Sequence, residues 1–122
     1  MTLKTERRFA VFFKRDGLTR FKPAIGQFQI FYKSGVEQPE YVPDFVVETA
    51  HDLLICETKA RNEMGSDEVQ AKAQAGALWC RHASKNARKI GAKPWKYLFI
   101  SHDQVTQDKR LADFLVFEVA VR

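Results

Sequence analysis

The chain is poor in the residues that staple, span or anchor. It has only two cysteines, Cys56 and Cys80, too few for a disulfide framework and not at zinc-ligand spacing. Both fall in patterns that read as buried, which makes them small core residues. The three histidines, His51, His82 and His102, are scattered without metal-ligand spacing; His51 reads as a turn residue and the other two as ordinary polar positions. Apolar runs such as Phe45–Val47 and Leu53–Cys56 are short, far below the length needed to span a bilayer. Residues Met1–Phe12 mix charge with aromatics and lack the apolar segment of a signal peptide. No repeat, low-complexity stretch or linker divides the chain. These absences predict a soluble, cytoplasmic protein with no membrane partner.

What is present suffices for one core. The chain has 122 residues, 45% of them hydrophobic, which predicts one domain over 1–122 and argues against disorder. Twenty Lys and Arg against fifteen Asp and Glu give a formal charge of +5. A basic balance of this kind favours a polyanionic partner such as nucleic acid.

Hydrophobic periodicity predicts the order of elements. Thr5 is placed to cap a short helix over Thr5–Lys14, with Phe9, Phe12 and Phe13 at helical spacing. Gly17, Pro23 and Gly26 mark a loop. The near-alternating Gln27–Lys33 predicts a strand, and Ser34–Pro39 a turn. Two strands, Tyr41–Glu48 and Asp52–Lys59, follow as a hairpin around Thr49-Ala50-His51. After a loop over Asn62–Asp67, Ser66 caps a long helix reaching about Lys89, where Asp67 and Glu68 suit the positive end of its dipole. Its small residues, Ala71, Ala73, Ala75, Gly76 and Ala77, allow close packing on a sheet. Gly91 and Pro94 stop it. Trp95–Ser101 predicts a strand, Asp103–Asp113 a short polar helix or turn, and Phe114–Val121 a last strand. This is an α/β (α+β) arrangement, a central mixed β-sheet flanked by helices.

The segment that carries chemistry is Pro43-Asp44 followed by Glu57-Thr58-Lys59. Residues two apart on a strand share a face, so Glu57 and Lys59 project together beyond Leu53 and Ile55. If the hairpin turn is centred between Ala50 and His51, Asp44 faces Glu57; a slip of one residue would place Asp44 on the wrong face. Taken singly, Glu-x-Lys on a strand is a solvated ion pair and Asp after Pro a turn residue. Their meeting on one hairpin, beside apolar runs, points to a site. Two adjacent carboxylates repel each other, and a divalent cation relieves that repulsion. Magnesium suits the pair because it binds through one or two carboxylates and keeps waters and phosphate oxygens. With Lys59 stabilising developing charge, the expected chemistry is attack of activated water on a phosphodiester.

At these residues the chain resembles the PD-(D/E)XK nuclease superfamily, whose signature looks like Pro43-Asp44 with Glu57-Thr58-Lys59 and whose fold is restriction-endonuclease-like. The resemblance extends through Phe9-Ala10-Val11, Lys22-Pro23-Ala24, Gly26–Ile30, Tyr41–Thr49 and Lys96–Ser101 to the C-terminal endonuclease domain of the restriction subunit of type III restriction enzymes. It implies a prokaryotic endonuclease acting on double-stranded DNA, with Asp44 and Glu57 as Mg2+ ligands, Lys59 as the catalytic lysine and the Thr58 carbonyl as a further ligand. It also implies a helicase-like, ATP-dependent motor ahead of the nuclease, a separate methyltransferase (modification) subunit that recognises the target, and a transient dimer for double-strand cutting. No Gly-x-x-x-x-Gly-Lys-Ser/Thr loop occurs in the chain, so ATP belongs to the motor and the chain reads as an excised domain or a stand-alone relative.

Supporting positions follow from the same comparison. Glu6 on the first helix is a candidate extra acidic ligand. Gln74 is a candidate active-centre glutamine on the long helix, with Gln70 as its alternative. Arg61 and Lys72 are candidate DNA contacts, as are Arg81, Lys85 and Arg88. Trp79 and Trp95 are expected in the core. Two other readings stay open: a nuclease-like binding or assembly module without activity, and a resolvase or repair nuclease of the same superfamily.

Overall fold

The computed structural model describes residues 19–21, 23, 24, 26–106 and 108–122. The helix expected over Thr5–Lys14 lies outside them. In chain order the strands are β1 (Thr19–Phe21), β2 (Ile30–Phe31), β3 (Glu40–Tyr41), β4 (Phe45–Glu48), β5 (Leu53–Lys59) and β6 (Trp95–Ser101), with the long helix α1 (Asp67–Lys89) between β5 and β6. β5 is almost wholly buried, so it requires cover on both faces. It lies inside a four-stranded sheet of order β1-β4-β5-β6, and β2 and β3 form a separate antiparallel pair. β1–β4 and β4–β5 are antiparallel while β5–β6 are parallel. The parallel step needs a long crossover, which α1 supplies.

Alternating residues of the sheet feed two apolar layers. On one face Phe45, Val47, Leu54, Cys56, Leu98 and Ile100 pack with Val105, Leu111 and Phe114. On the other, Val46, Ile55, Tyr97 and Phe99 pack with Tyr41 and with Ala73, Ala77 and Cys80 of α1. Both cysteines are free and buried, as their sequence context implies. Trp79 and Trp95 stack edge-on with each other and with Phe28 beside the α1-side core, and the Trp79 indole N–H donates to the Phe28 carbonyl at 3.0 Å. They are packing residues.

The helix ends as its sequence dictates. The Ser66 hydroxyl accepts the Val69 N–H at 3.2 Å. At the other end Gly91 turns left-handed, with φ of 69°, and the Ala92 N–H returns to the Ala87 carbonyl at 2.9 Å, the closing bond of a Schellman stop. β6 has the predicted bounds. The β4–β5 register also matches, with Phe45 opposite Cys56 and Glu48 opposite Leu53. Thr49 closes that hairpin by accepting the His51 and Asp52 N–H groups on its hydroxyl.

Three predicted strands are corrected. Gln27–Lys33 is ladder only at Ile30–Phe31, because Gln29 adopts a positive φ of 54° and Gln27 is tied into a turn with Ala24. Tyr41–Glu48 is broken at Val42-Pro43-Asp44: Pro43 has no N–H to give, and the Asp44 N–H goes to a side chain. The last strand, Phe114–Val121, is replaced, while the short helix or turn expected around Asp103–Asp113 takes the form of turns. Short 3-10 turns run over His102–Gln104 and Leu111–Phe117. Leu111 and Phe114 are three apart, so a 3-10 turn stacks them on one side, where both are buried against the sheet. Strand character survives only as a bridge between Leu98 and Glu118. Among the described residues, no helix is long and apolar enough to cross a membrane.

Candidate active site

The site forms where β5 leaves the core. Ile55, Glu57 and Lys59 lie on the α1 face, so the apolar patch ends in an acid and a base. The break at Pro43 turns Asp44 onto the same spot. The Asp44 N–H donates to the Glu57 carboxylate at 3.2 Å. The Asp44 carboxylate in turn accepts the Thr58 N–H at 3.2 Å and the Thr58 hydroxyl at 3.4 Å. Each acid is thus gripped by the other's strand.

These residues open into a polar pocket of about 220 Å³. Asp44, Glu57 and Lys59 form its catalytic-looking wall; Val69 and Lys72 of α1 close one side, and Tyr32, Glu40 and Tyr41 of the β2–β3 hairpin another. Glu57 is only 7% exposed. Burial, then the neighbouring Asp44 charge, pushes its carboxyl up to about 8, while a hydrogen bond from Tyr41 and the Lys59 charge pull the other way. Ionising Glu57 in this place is therefore costly.

Lys59 is half-buried at the mouth of the pocket. Among the described residues it forms no ion pair within 4.0 Å, and Glu57 is not its salt-bridge partner. Its ammonium lines the same pocket as the two carboxylates and lies near enough to favour the charged form of Glu57. Lys72 brings a second positive charge, 3.9 Å from Glu68 and 5.4 Å from the centre of the Tyr32 ring.

The other expected positions divide. Thr58, expected to act through its carbonyl, contributes two donors that orient Asp44. The Gln74 amide donates to the Ala120 carbonyl and accepts the Arg122 N–H, clipping the C-terminal segment, and it is not among the residues that line the pocket. Gln70 does not take its place, since it donates to the Met64 carbonyl and accepts from Arg122. The α1 side chains reaching the pocket are Val69 and Lys72. Arg61 is exposed and held by Asp103 at 3.0 Å, and that hydrogen bond holds the Asp103 carboxyl below its ordinary range. Glu6 lies outside the described residues.

Sequence reasoning missed the tyrosines. The Tyr41 hydroxyl donates to the Glu57 carboxylate and lies 2.7 Å from the Tyr97 hydroxyl. Burial first, then nearby acidic groups, raises both phenols well above their ordinary value, so both keep their protons. A signal existed: Tyr97 sits opposite Ile55 across the parallel pair, on the face that carries Glu57.

Among the described residues no three His, Cys, Asp or Glu side chains gather into a metal-holding group. A site of two carboxylates fits a cation that completes its shell with water and phosphate oxygens, as magnesium does. A cation beside Asp44 would stabilise the ionised form of Glu57 that burial disfavours. Compared with protein-family models, curated proteins and solved structures, the chain matches none.

Proposed function

We propose that this chain is a magnesium-dependent DNA endonuclease domain with a restriction-endonuclease-like fold. The observation that carries the reading is the meeting of Asp44, just before β4, with Glu57 on β5, joined by a hydrogen bond in a pocket that also holds Lys59. A domain that only bound nucleic acid would gain nothing by burying an acid where phosphates must approach. Asp44 and Glu57 would hold the cation. When bound, magnesium polarises a phosphoryl oxygen and lowers the pKa of water.

The protein's own groups do the rest. Thr58 fixes the Asp44 carboxylate through two donors, so its geometry survives the approach of a polyanion. Lys59 presents its charge to the non-bridging oxygens as the water oxygen bonds to phosphorus and the P–O ester bond breaks. The attacking water gives up a proton to solvent, and the departing oxygen takes one up from solvent. Lys72 adds positive charge on the helix side of the pocket.

Within this reading the chain is the cleavage module of a type III restriction enzyme, with a helicase-like motor and a methyltransferase subunit as partners and a transient dimer for double-strand cleavage. The resemblance of Pro43-Asp44 and Glu57-Thr58-Lys59 supports it. The absence of a third acidic ligand among the described residues favours one alternative, a nuclease-like binding or assembly module without activity. Supercoiled DNA incubated with the protein in magnesium or in chelator separates them. Nicking that needs magnesium and disappears in Asp44→Ala supports the proposal. Nicking that persists unchanged in Asp44→Ala assigns the chemistry elsewhere, and DNA binding without nicking in either protein supports the binding module.

A further inference from the structure

Two buried tyrosines stand behind Glu57, and packing alone does not explain them. Tyr41 and Tyr97 are 5% and 1% exposed and belong to the apolar layer under α1. Phenylalanine would fill the same volume with no hydroxyl to desolvate. Both hydroxyls instead form one line: Tyr41 to Glu57, and Tyr97 to Tyr41 at 2.7 Å. A phenol has one proton. When Glu57 is ionised it can only accept, so Tyr41 must donate to it and Tyr97 must donate to Tyr41.

The helix is shaped around this line. Gly76 sits inside α1, where glycine is a poor helix former, and a Cβ there would fall 2.4 Å from the Tyr97 ring. Its neighbours Ala75 and Ala77 show that the helix uses alanine where space permits. At position 76 the ring of Tyr97 takes that space, and its hydroxyl then reaches Tyr41.

We propose that Tyr41 and Tyr97 are positioning residues for the metal site: Tyr41 fixes the rotamer of the ligand Glu57 and Tyr97 fixes Tyr41. The donated bond stabilises the charged carboxylate and points its free lone pairs into the pocket towards Asp44. Hydrogen bonds of this outer kind set the affinity of a metal ligand and its orientation. This inference rests on the reading of Asp44 and Glu57 as metal ligands.

Manganese titrated into the intact chain, followed by electron paramagnetic resonance, gives both affinity and the ligand-field signature of the bound ion. Tyr41→Phe is expected to bind manganese about 10- to 100-fold more weakly, with altered zero-field splitting and an unchanged fold by near-ultraviolet circular dichroism. Tyr97→Phe, which keeps the Tyr41–Glu57 bond, is expected to lose a few-fold and serves as the readout if Tyr41→Phe does not fold. Wild-type affinity and splitting in the folded variants, with binding lost in Asp44→Ala, would overturn the positioning role and leave the metal site standing. No manganese binding by wild type would overturn both.

Discussion

The Asp44 N–H and the Glu57 carboxylate are joined at 3.2 Å, so a ladder hydrogen bond that Pro43 interrupts is replaced by one that ties backbone to a buried acid. That acid is the most perturbed carboxyl of the site, pushed up to about 8 by burial and by Asp44. Its consequence is a stability that depends on pH.

In the metal-free protein Glu57 binds its proton more tightly folded than unfolded. Its stabilising contribution is full below the unfolded value of 4.5 and is lost as pH rises towards about 8. Unfolding by urea in chelator should show stability falling with pH across that window, by up to about 1.4 kcal/mol per pH unit. Glu57→Gln should remove this component of the slope. An identical slope in the variant would show that the carboxyl is not perturbed.

On the proposed reading Lys59 acts on the phosphate and does not hold the metal. Lys59→Ala should lower magnesium-dependent cleavage about 100-fold or more while manganese affinity stays within about threefold of wild type, since no ligand is removed. Equal loss of metal binding and cleavage would make Lys59 a structural partner of the acids.

Gly76→Ala sets helix propensity against packing. Alanine is favoured in a free helix by about 1 kcal/mol, but the added Cβ meets the Tyr97 ring at 2.4 Å. Overpacking of this kind costs about 1–3 kcal/mol, so the variant should be less stable in urea unfolding. A more stable variant would show that the ring moves freely.

Cys56 and Cys80 have thiols pushed up to about 12, chiefly by burial. Neither should react with iodoacetamide in the folded protein at pH 8, and both should react in urea. Mass spectrometry counts the adducts, and labelling of the native chain would contradict the packing of both apolar layers.

The parts of the fold that the sequence made legible are those governed by local rules. Ser66 and Gly91 bound α1 because capping and left-handed stops are short-range, and the even turn around Ala50-His51 set the register that brings Asp44 to Glu57. The run Phe114-Leu115-Val116-Phe117 misled because an apolar run reads alike as strand or helix; only the sheet beneath it decides that Leu111 and Phe114 share a side. Gln74 shows a related limit of local pattern. Its place on α1 was readable, but the C-terminal segment that captures its amide was not. Tyr41 and Tyr97 escaped notice because a buried hydroxyl has meaning only through its partner: Glu57 lies sixteen residues from Tyr41 in the chain, and Tyr41 lies 56 residues from Tyr97.

The central claim is that Asp44 and Glu57 together hold a divalent cation, and calorimetric titration of magnesium into the intact chain tests it without requiring a motor or a target sequence. The wild-type protein should bind at a site whose affinity collapses in Asp44→Ala while the variant still unfolds cooperatively. Unchanged affinity in a folded Asp44→Ala variant, or no binding by the wild type, would contradict the account.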